Sequence, residues 1–229
     1  MKLSKKKLLS FILALIMCIG VIPSEVFSSV AEYIMTVVAA TDDVTASGTC
    51  GANLTWALTS DGTLTISGTG EMYNYNKASY VPWYSYRDNI TAVVIEDGVA
   101  SIGQYAFYDT AYYNDESSWE NGVLYVDDWL TEADIDAISS DYSIKSGTIG
   151  IANYAFEGCT SLTSVTIPDS VKTIGGGAFS GCASLTSITI PDGVTTIGEY
   201  AFYGCESLTS ITIPDSVTHI GAYAFWGCT

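Results

Sequence analysis

Three consecutive 23-residue segments of this chain are near copies of one another: CTSLTSVTIPDSVKTIGGGAFSG (Cys159–Gly181), CASLTSITIPDGVTTIGEYAFYG (Cys182–Gly204) and CESLTSITIPDSVTHIGAYAFWG (Cys205–Gly227). A fixed period in the twenties leaves few architectures open. A unit this short cannot bury its own apolar side, so successive copies must stack and enclose a continuous core between them, which makes a solenoid.

One copy can be read residue by residue. Val165 and Ile167 are apolar while Ser164 and Thr166 carry hydroxyls, an alternation that predicts a short strand with one buried face. Pro168 has no N–H for a ladder and ends the strand, and Pro168-Asp169-Ser170 supplies turn chemistry, with the Asp side chain able to cap nearby amides. Val171 and Ile174 return to the core and Gly175 breaks the run. Ala178-Phe179 ahead of Gly181 then predicts a short helical or 3-10 turn that drops one ring into the interior. In-register stacking places Phe107, Phe156, Phe179, Phe202 and Phe225 in one buried row, at roughly 4.8 Å per copy.

The pattern C-x-S-L-T-S-[VI]-T-I-P-D-[SG]-V-x-x-I-G-x-x-A-F-x-G resembles the leucine-rich repeat of BspA-like bacterial surface proteins, closely over Cys159–Thr229 and in degraded form over Ile90–Phe156. The resemblance implies an α/β leucine-rich-repeat solenoid and an exported, non-enzymatic adhesion or ligand-binding surface. Joined to the residue patterns, it makes the expected fold strand-rich, with a short helical or 3-10 turn in each repeat and an N-terminal β-hairpin cap.

The first 40 residues read as an export signal: Lys2, Lys5, Lys6 and Lys7 precede an apolar run from Leu8 to Ile22, and small residues follow at Ser29-Val30-Ala31 and Val38-Ala39-Ala40. Removal is expected, at a cleavage site that the two small-residue stretches leave open, with a retained membrane anchor as the alternative; the run is shorter than the ~20 residues a spanning helix needs, so no membrane insertion is expected once the signal is removed. Beyond residue 40 only Lys77, Arg87, Lys145 and Lys172 oppose 23 Asp and Glu, a net charge of −19. Such an acidic surface excludes nucleic acid as a partner, and admits a basic protein or a divalent cation.

Residues 41–89 lack the repeat. Leu54, Trp56 and Leu58, then Leu64 and Ile66 across the Ser60-Asp61-Gly62 turn, predict a hairpin with one apolar face; with a short helix opened by Pro82 it forms the expected N-terminal cap. The solenoid is expected over 90–229. Its first copy, Ile90–Phe107, matches the later ones at Val93, Ile95, Val99, Ile102 and Ala106, but Phe107 and Phe156 are 49 residues apart, so an insertion of about 111–143 must lie between. Tyr112, Tyr113, Trp119, Tyr125 and Trp129 crowd into it, and Val123–Leu130 suggests a small hairpin projecting from the stack. The chain stops at Cys228-Thr229 as a further copy opens, which reads as a truncation with room for additional domains beyond residue 229.

Catalysis finds little support in these residues. His219 is the only histidine and occupies a variable repeat position held elsewhere by Ser101, Thr173 and Thr196. Cys159, Cys182, Cys205 and Cys228 share one repeat position and read as buried thiols, with a disulfide or zinc as alternatives; stacked side chains run parallel, and a ladder does not make a tetrahedron. No metal and no cofactor are expected. The turn residues Asp97, Asp169, Asp192 and Asp215 read as caps rather than calcium ligands. Tyr105, Tyr154, Tyr200 and Tyr223, with Tyr108, Tyr203 and Trp226 beside them, form an aromatic row fit for inter-repeat packing or for stacking on a sugar or a partner. The candidate binding residues are this row and the five insertion rings, since irregular loops on rigid scaffolds commonly carry recognition; the alternative for the insertion is a self-packed hairpin that shields an imperfect joint. The reading is an extracellular binding or adhesion protein, secreted or at the cell surface, whose partner is a protein or glycan. The alternative is a non-catalytic polysaccharide-targeting region of a larger secreted hydrolase.

Overall fold

The computed structural model describes residues 43–229; the expected signal segment, residues 1–40, lies outside the described residues. Among the described residues no helix is long and apolar enough to cross a membrane. The strands, in order, are β1 (Val44–Thr49), β2 (Leu54–Thr59), β3 (Thr63–Gly68), β4 (Gly70–Glu71), β5 (Ala92–Ile95), β6 (Val99–Ser101), β7 (Trp119–Glu120), β8 (Val123–Val126), β9 (Trp129–Ala133), β10 (Asp141–Ser143), β11 (Gly150–Ile151), β12 (Ser164–Thr166), β13 (Thr173–Ile174), β14 (Ser187–Thr189), β15 (Thr196–Ile197) and β16 (His219–Ile220). They form sheets ordered β1-β2-β3-β5, β10-β12-β14, β16-β15-β13-β11-β9-β8-β7 and β4-β6.

The chain is a leucine-rich-repeat solenoid, and its register is the repeat. β12 and β14 pair in parallel as Val165↔Ile188, and β13, β15 and β16 pair as Ile174↔Ile197 and Ile197↔Ile220, each partner 23 residues on. The third side of each coil is bonded too: the N–H of Phe156, Phe179 and Phe202 donates to the carbonyl of Ala178, Ala201 and Ala224, at 2.7 Å in each case. The ring therefore sits on a tight turn of i to i+3 bonds, such as Ser180 N–H to Gly177 O, rather than on a helix. A left-handed residue ahead of the Ala-Phe pair, Gly177 at φ 61° or Tyr200 at φ 58°, prevents α-helical continuation. In the last copy residues 210–212 form no strand, and only β16 pairs.

Glycine at the Ile-Gly position is required by approach of backbones. A Cβ on Gly198 would lie 2.4 Å from the Gly176 nitrogen, and one on Gly221 would lie 2.2 Å from the Glu199 nitrogen. Neither backbone can yield without moving a rung.

The N-terminal hairpin does more than cover an end. β2 and β3 pair antiparallel as expected, but β3 also pairs in parallel with β5 through Leu64↔Val93 and Ile66↔Ile95, so strand register runs across residues 89 and 90. Trp83 takes the place of the repeat phenylalanine. Its ring stacks on Phe107 at 6.2 Å and 18°, and its indole N–H donates to the Ala106 carbonyl at 2.7 Å, an acceptor that later rungs fill with a backbone amide.

The insertion departs from expectation. The β8–β9 hairpin does not project: β9 pairs in parallel with β11 as Trp129↔Gly150 and Leu130↔Ile151, and so forms an extra rung of the main sheet. The Trp129 ring lies where a side chain at 150 would go, a Cβ there falling 2.3 Å from Cζ3, and this explains glycine at a position that Thr173, Thr196 and His219 otherwise fill. Ala133, donating to the Ala155 carbonyl at 2.7 Å, holds the phenylalanine position of that rung. A methyl group leaves space there. Tyr142 is buried in the next coil, its ring 6.1 Å from Phe156. The single row of five phenylalanines is therefore corrected: Phe156, Phe179, Phe202 and Phe225 stack at 5.0, 5.3 and 5.4 Å, while Phe107 pairs with Trp83, and Phe225 is only partly buried.

Candidate functional site

Of the insertion rings, two are removed from any contact surface. Tyr125 and Trp129 are 7% and 3% exposed, because the hairpin that carries them is a rung with its apolar residues turned into the core. The Tyr125 hydroxyl meets that of Tyr142 at 3.0 Å and accepts from the Lys145 N–H at 3.2 Å. Tyr112 is half-buried and donates to the Tyr125 carbonyl at 2.7 Å. Tyr113 and Trp119 remain at the rim, packed on each other at 5.1 Å and 83°, with the Trp119 indole donating to the Tyr113 carbonyl.

The Tyr113 hydroxyl also donates to Glu132 on β9 at 3.2 Å, a contact that the sequence reading missed. Its only trace in the sequence is a carboxylate on the strand that carries Trp129, Leu130 and Ala133. Burial pushes the Glu132 carboxyl up to about 7, against the Tyr113 hydrogen bond and with the charge of Asp134 adding to the rise. A carboxyl raised in the folded state holds a proton that the unfolded chain has released, so stability falls as pH rises from about 4.5 to about 7. Glu132→Gln should therefore flatten that limb and stabilise the chain by about 1–3 kcal/mol at about pH 8. An unchanged pH profile of the melting temperature would remove Glu132 as its source.

The repeat row comes together as an edge of the solenoid. Tyr105, Tyr154, Tyr200 and Tyr223 all stand at φ between 56° and 60°, a left-handed conformation that non-glycine residues rarely adopt. Tyr200 and Tyr223 stack face to face at 5.3 Å and 12°. Tyr154 leans over Gly177, where a Cβ would meet its ring at 2.4 Å. In the stacked pair the facing surfaces are consumed by a neighbouring ring, which is the inter-repeat packing use of the row. The residues three further on differ from Tyr105, Tyr200 and Tyr223 in ring orientation rather than in exposure, the first three being 37%, 37% and 54% exposed. Tyr108, Tyr203 and Trp226 cross Tyr105, Tyr200 and Tyr223 at 81°, 70° and 68°, and they are 43%, 40% and 61% exposed. Tyr203 keeps that exposure with a rung stacked on either side.

The cysteine ladder has a structural task. The Cys182 thiol donates to the Phe156 carbonyl at 3.1 Å, Cys205 to Phe179 at 3.2 Å and Cys228 to Phe202 at 3.4 Å; the thiols are unpaired with one another. Burial pushes the Cys50 thiol up to about 11, Cys159 and Cys205 up to about 12, and Cys182 higher still. A thiol is unreactive until ionised, so alkylation of the native chain near pH 8 should leave Cys159, Cys182 and Cys205 unlabelled until denaturant is added. Mass spectrometry showing rapid full labelling would contradict this. Since these values are raised on folding, the thiols also contribute stability below pH 9 that fades as pH rises toward 12.

Asp169, Asp192 and Asp215 are exposed at the turns. Those turns close through the backbone, Val171, Val194 and Val217 donating to the carbonyls of Pro168, Pro191 and Pro214 at 3.1, 3.0 and 3.1 Å. Among the described residues no group of three or more His, Cys, Asp or Glu is placed to hold a metal ion.

A family model described as the BspA type leucine rich repeat region matches residues 81–121 and 138–229, in six copies. The gap between the two matched stretches holds the β8–β9 hairpin. No curated protein matches the chain. Among solved structures, the chain is similar to a leucine-rich repeat protein from Bacteroides capillosus, with 28% identity, 45% of this chain and 96% of that one covered, and a TM-score of 0.39. It is also similar to the pneumococcal vaccine antigen PcpA, at 25% identity over 57% of this chain and 29% of the antigen, with a TM-score of 0.44. A third is a leucine rich cell surface protein from Faecalibacterium prausnitzii, at 26% identity over 81% and 53% of the two chains, with a TM-score of 0.35.

Proposed function

The chain belongs to the BspA-type leucine-rich-repeat family, and from that premise we propose that it is an extracellular, non-catalytic binding or adhesion protein that recognises a protein or glycan on a surface. The observation that carries this reading is the aromatic edge. Packing accounts for the buried phenylalanines, the thiols, the stacked tyrosines and Tyr108, whose ring also rests on Tyr113 at 5.1 Å, but it does not require Tyr203 and Trp226 to stand crosswise to their neighbours with rings 40% and 61% exposed. Exposed aromatic surface on a rigid scaffold is where recognition concentrates. The acidic composition supports export as a soluble surface, and the apolar segment near the N-terminus supports secretion.

The test is a binding survey of the full chain against immobilised extracellular matrix proteins and a glycan array. Saturable binding to one or more of them is expected. Hydrolysis of an arrayed glycan without retention would favour an enzyme, and no binding to either class would defeat the reading.

A further inference from the structure

The chemistry around the exposed rings narrows the partner. Glu157 occupies the repeat position that Tyr108, Tyr203 and Trp226 hold in other rungs, and Glu199 directly precedes Tyr200. Both carboxylates act on the row: burial first, then the charges of Glu157, the neighbouring Tyr200 and Glu199, raise the pKa of the Tyr154 phenol. Glu157 accepts from the Gln104 amide at 3.2 Å. The last lysine or arginine in the sequence is Lys172, so four acidic residues, Asp192, Glu199, Glu206 and Asp215, follow it with no basic residue but His219. The ion pairs formed among the described residues involve Arg87 and Lys145, both remote in sequence from this edge.

Glu157 and Tyr203 follow Phe156 and Phe202, two rungs apart in a stack spaced at 5.0 and 5.3 Å, and Glu199 lies on the rung of Tyr203, so carboxylates and open ring faces alternate along one edge, complementary to a segment that carries several cations on flat apolar groups. A guanidinium stacks on an aromatic face while its N–H groups reach an adjacent carboxylate, and both attractions act at once. A neutral sugar would use the faces of Tyr203 and Trp226 but leave the charge unanswered, and an acidic glycan would be repelled. Resting on the binding function above, we propose that the edge formed by Tyr200, Tyr203, Tyr223 and Trp226 with Glu157 and Glu199 docks an arginine-rich, positively charged segment of a partner protein. The stacked pair Tyr200 and Tyr223 forms the floor, Tyr203 and Trp226 supply the open faces, and the two carboxylates supply the charge.

The experiment uses the full chain and three probes: a fluorescent peptide of Arg-Gly-Ser repeats, the same peptide with Gln for Arg, and cellohexaose with chitohexaose as neutral sugars. Fluorescence anisotropy should show binding of the arginine peptide alone, weakening about tenfold or more between about 50 and about 300 mM NaCl. The double variant Tyr203→Ser with Trp226→Ser, and separately Glu157→Gln with Glu199→Gln, should each weaken binding by about fivefold or more. The glutamine pair leaves the ring packing intact, so its fold is secure. A control with the same charge change at the turns, Asp169→Asn with Asp192→Asn, should stay within about twofold. Equal binding of the two peptides, unaltered binding by both edge variants, or an equal loss in the turn control would overturn the proposal; sugar binding that the ring variant abolishes would replace it with a glycan. If the survey finds a ligand that these variants bind normally, the edge assignment fails and the binding function stands. If the survey finds none, the function itself fails.

Discussion

Phe179→Ala should lower the stability of the chain by about 3–5 kcal/mol. The ring is fully buried and sandwiched, with Phe156 at 5.0 Å on one side and Phe202 at 5.3 Å on the other, at interplanar angles of 7° and 5°. Truncation removes the transfer free energy of the ring and opens a cavity that cannot collapse, since the backbone on this side is fixed by the Phe179 to Ala201 hydrogen bond and its counterparts above and below. Phe225→Ala gives an internal comparison. Its ring has one stacked neighbour, Phe202 at 5.4 Å, and is only partly buried, so its loss should be about 1–2 kcal/mol. Denaturant midpoints for the two variants decide the matter: a loss below about 1 kcal/mol for Phe179→Ala would mean that the row is not the centre of the core.

Replacing residues 111–142 by a short Gly-Ser turn should abolish cooperative folding. Val123, Leu124, Val126, Trp129 and Leu130 are all nearly inaccessible, and burying each contributes roughly 1.5–3 kcal/mol, so the segment accounts for about 10 kcal/mol, comparable to the whole net stability of a typical domain. The excision also strips the parallel partner from β11 and the Tyr142 ring from Phe156. Circular dichroism should show loss of the sharp thermal transition. If instead the truncated chain melts as the parent does, the first copy must have closed directly onto Gly150–Ile151, and the hairpin would be an accessory to the stack rather than a rung. Because the rung is part of the core, exposing its rings to a ligand is not compatible with a folded chain, and binding experiments belong on the rim and on the Tyr203 edge.

The solenoid was legible because its cause is periodic. Residues 23 apart face the same neighbours, so Leu162, Val165, Ile174 and Phe179 announce their burial by recurring, and the strand register follows from the same number. The irregular pieces were misjudged for a corresponding reason. Trp129 and Leu130 occupy a rung 21 residues before Gly150 and Ile151, and Ala133 stands where phenylalanine is the rule, so a search at the regular spacing sees only an insertion. Aromatic content left exposure and self-packing both open there, and Tyr125 and Trp129 follow the second course, buried against the joint between copies. In Gly150 the sequence did carry a sign of this, since a glycine at a threonine position is what an overlying indole requires.

What the chain determined by itself is the repeat: the coil length, the stacked row from Phe156 to Phe225, the thiol position and the acidic surface all follow from which residues recur and which do not. Ring orientation was decided only by the tertiary structure. Tyr200 and Tyr203 are the same residue type three positions apart and are 37% and 40% exposed, yet one lies flat on the ring of the next rung and the other stands across it. The difference comes from the left-handed backbone at Tyr200 and from a neighbouring coil that offers a tyrosine to stack upon, and neither exists until one rung has been laid on another.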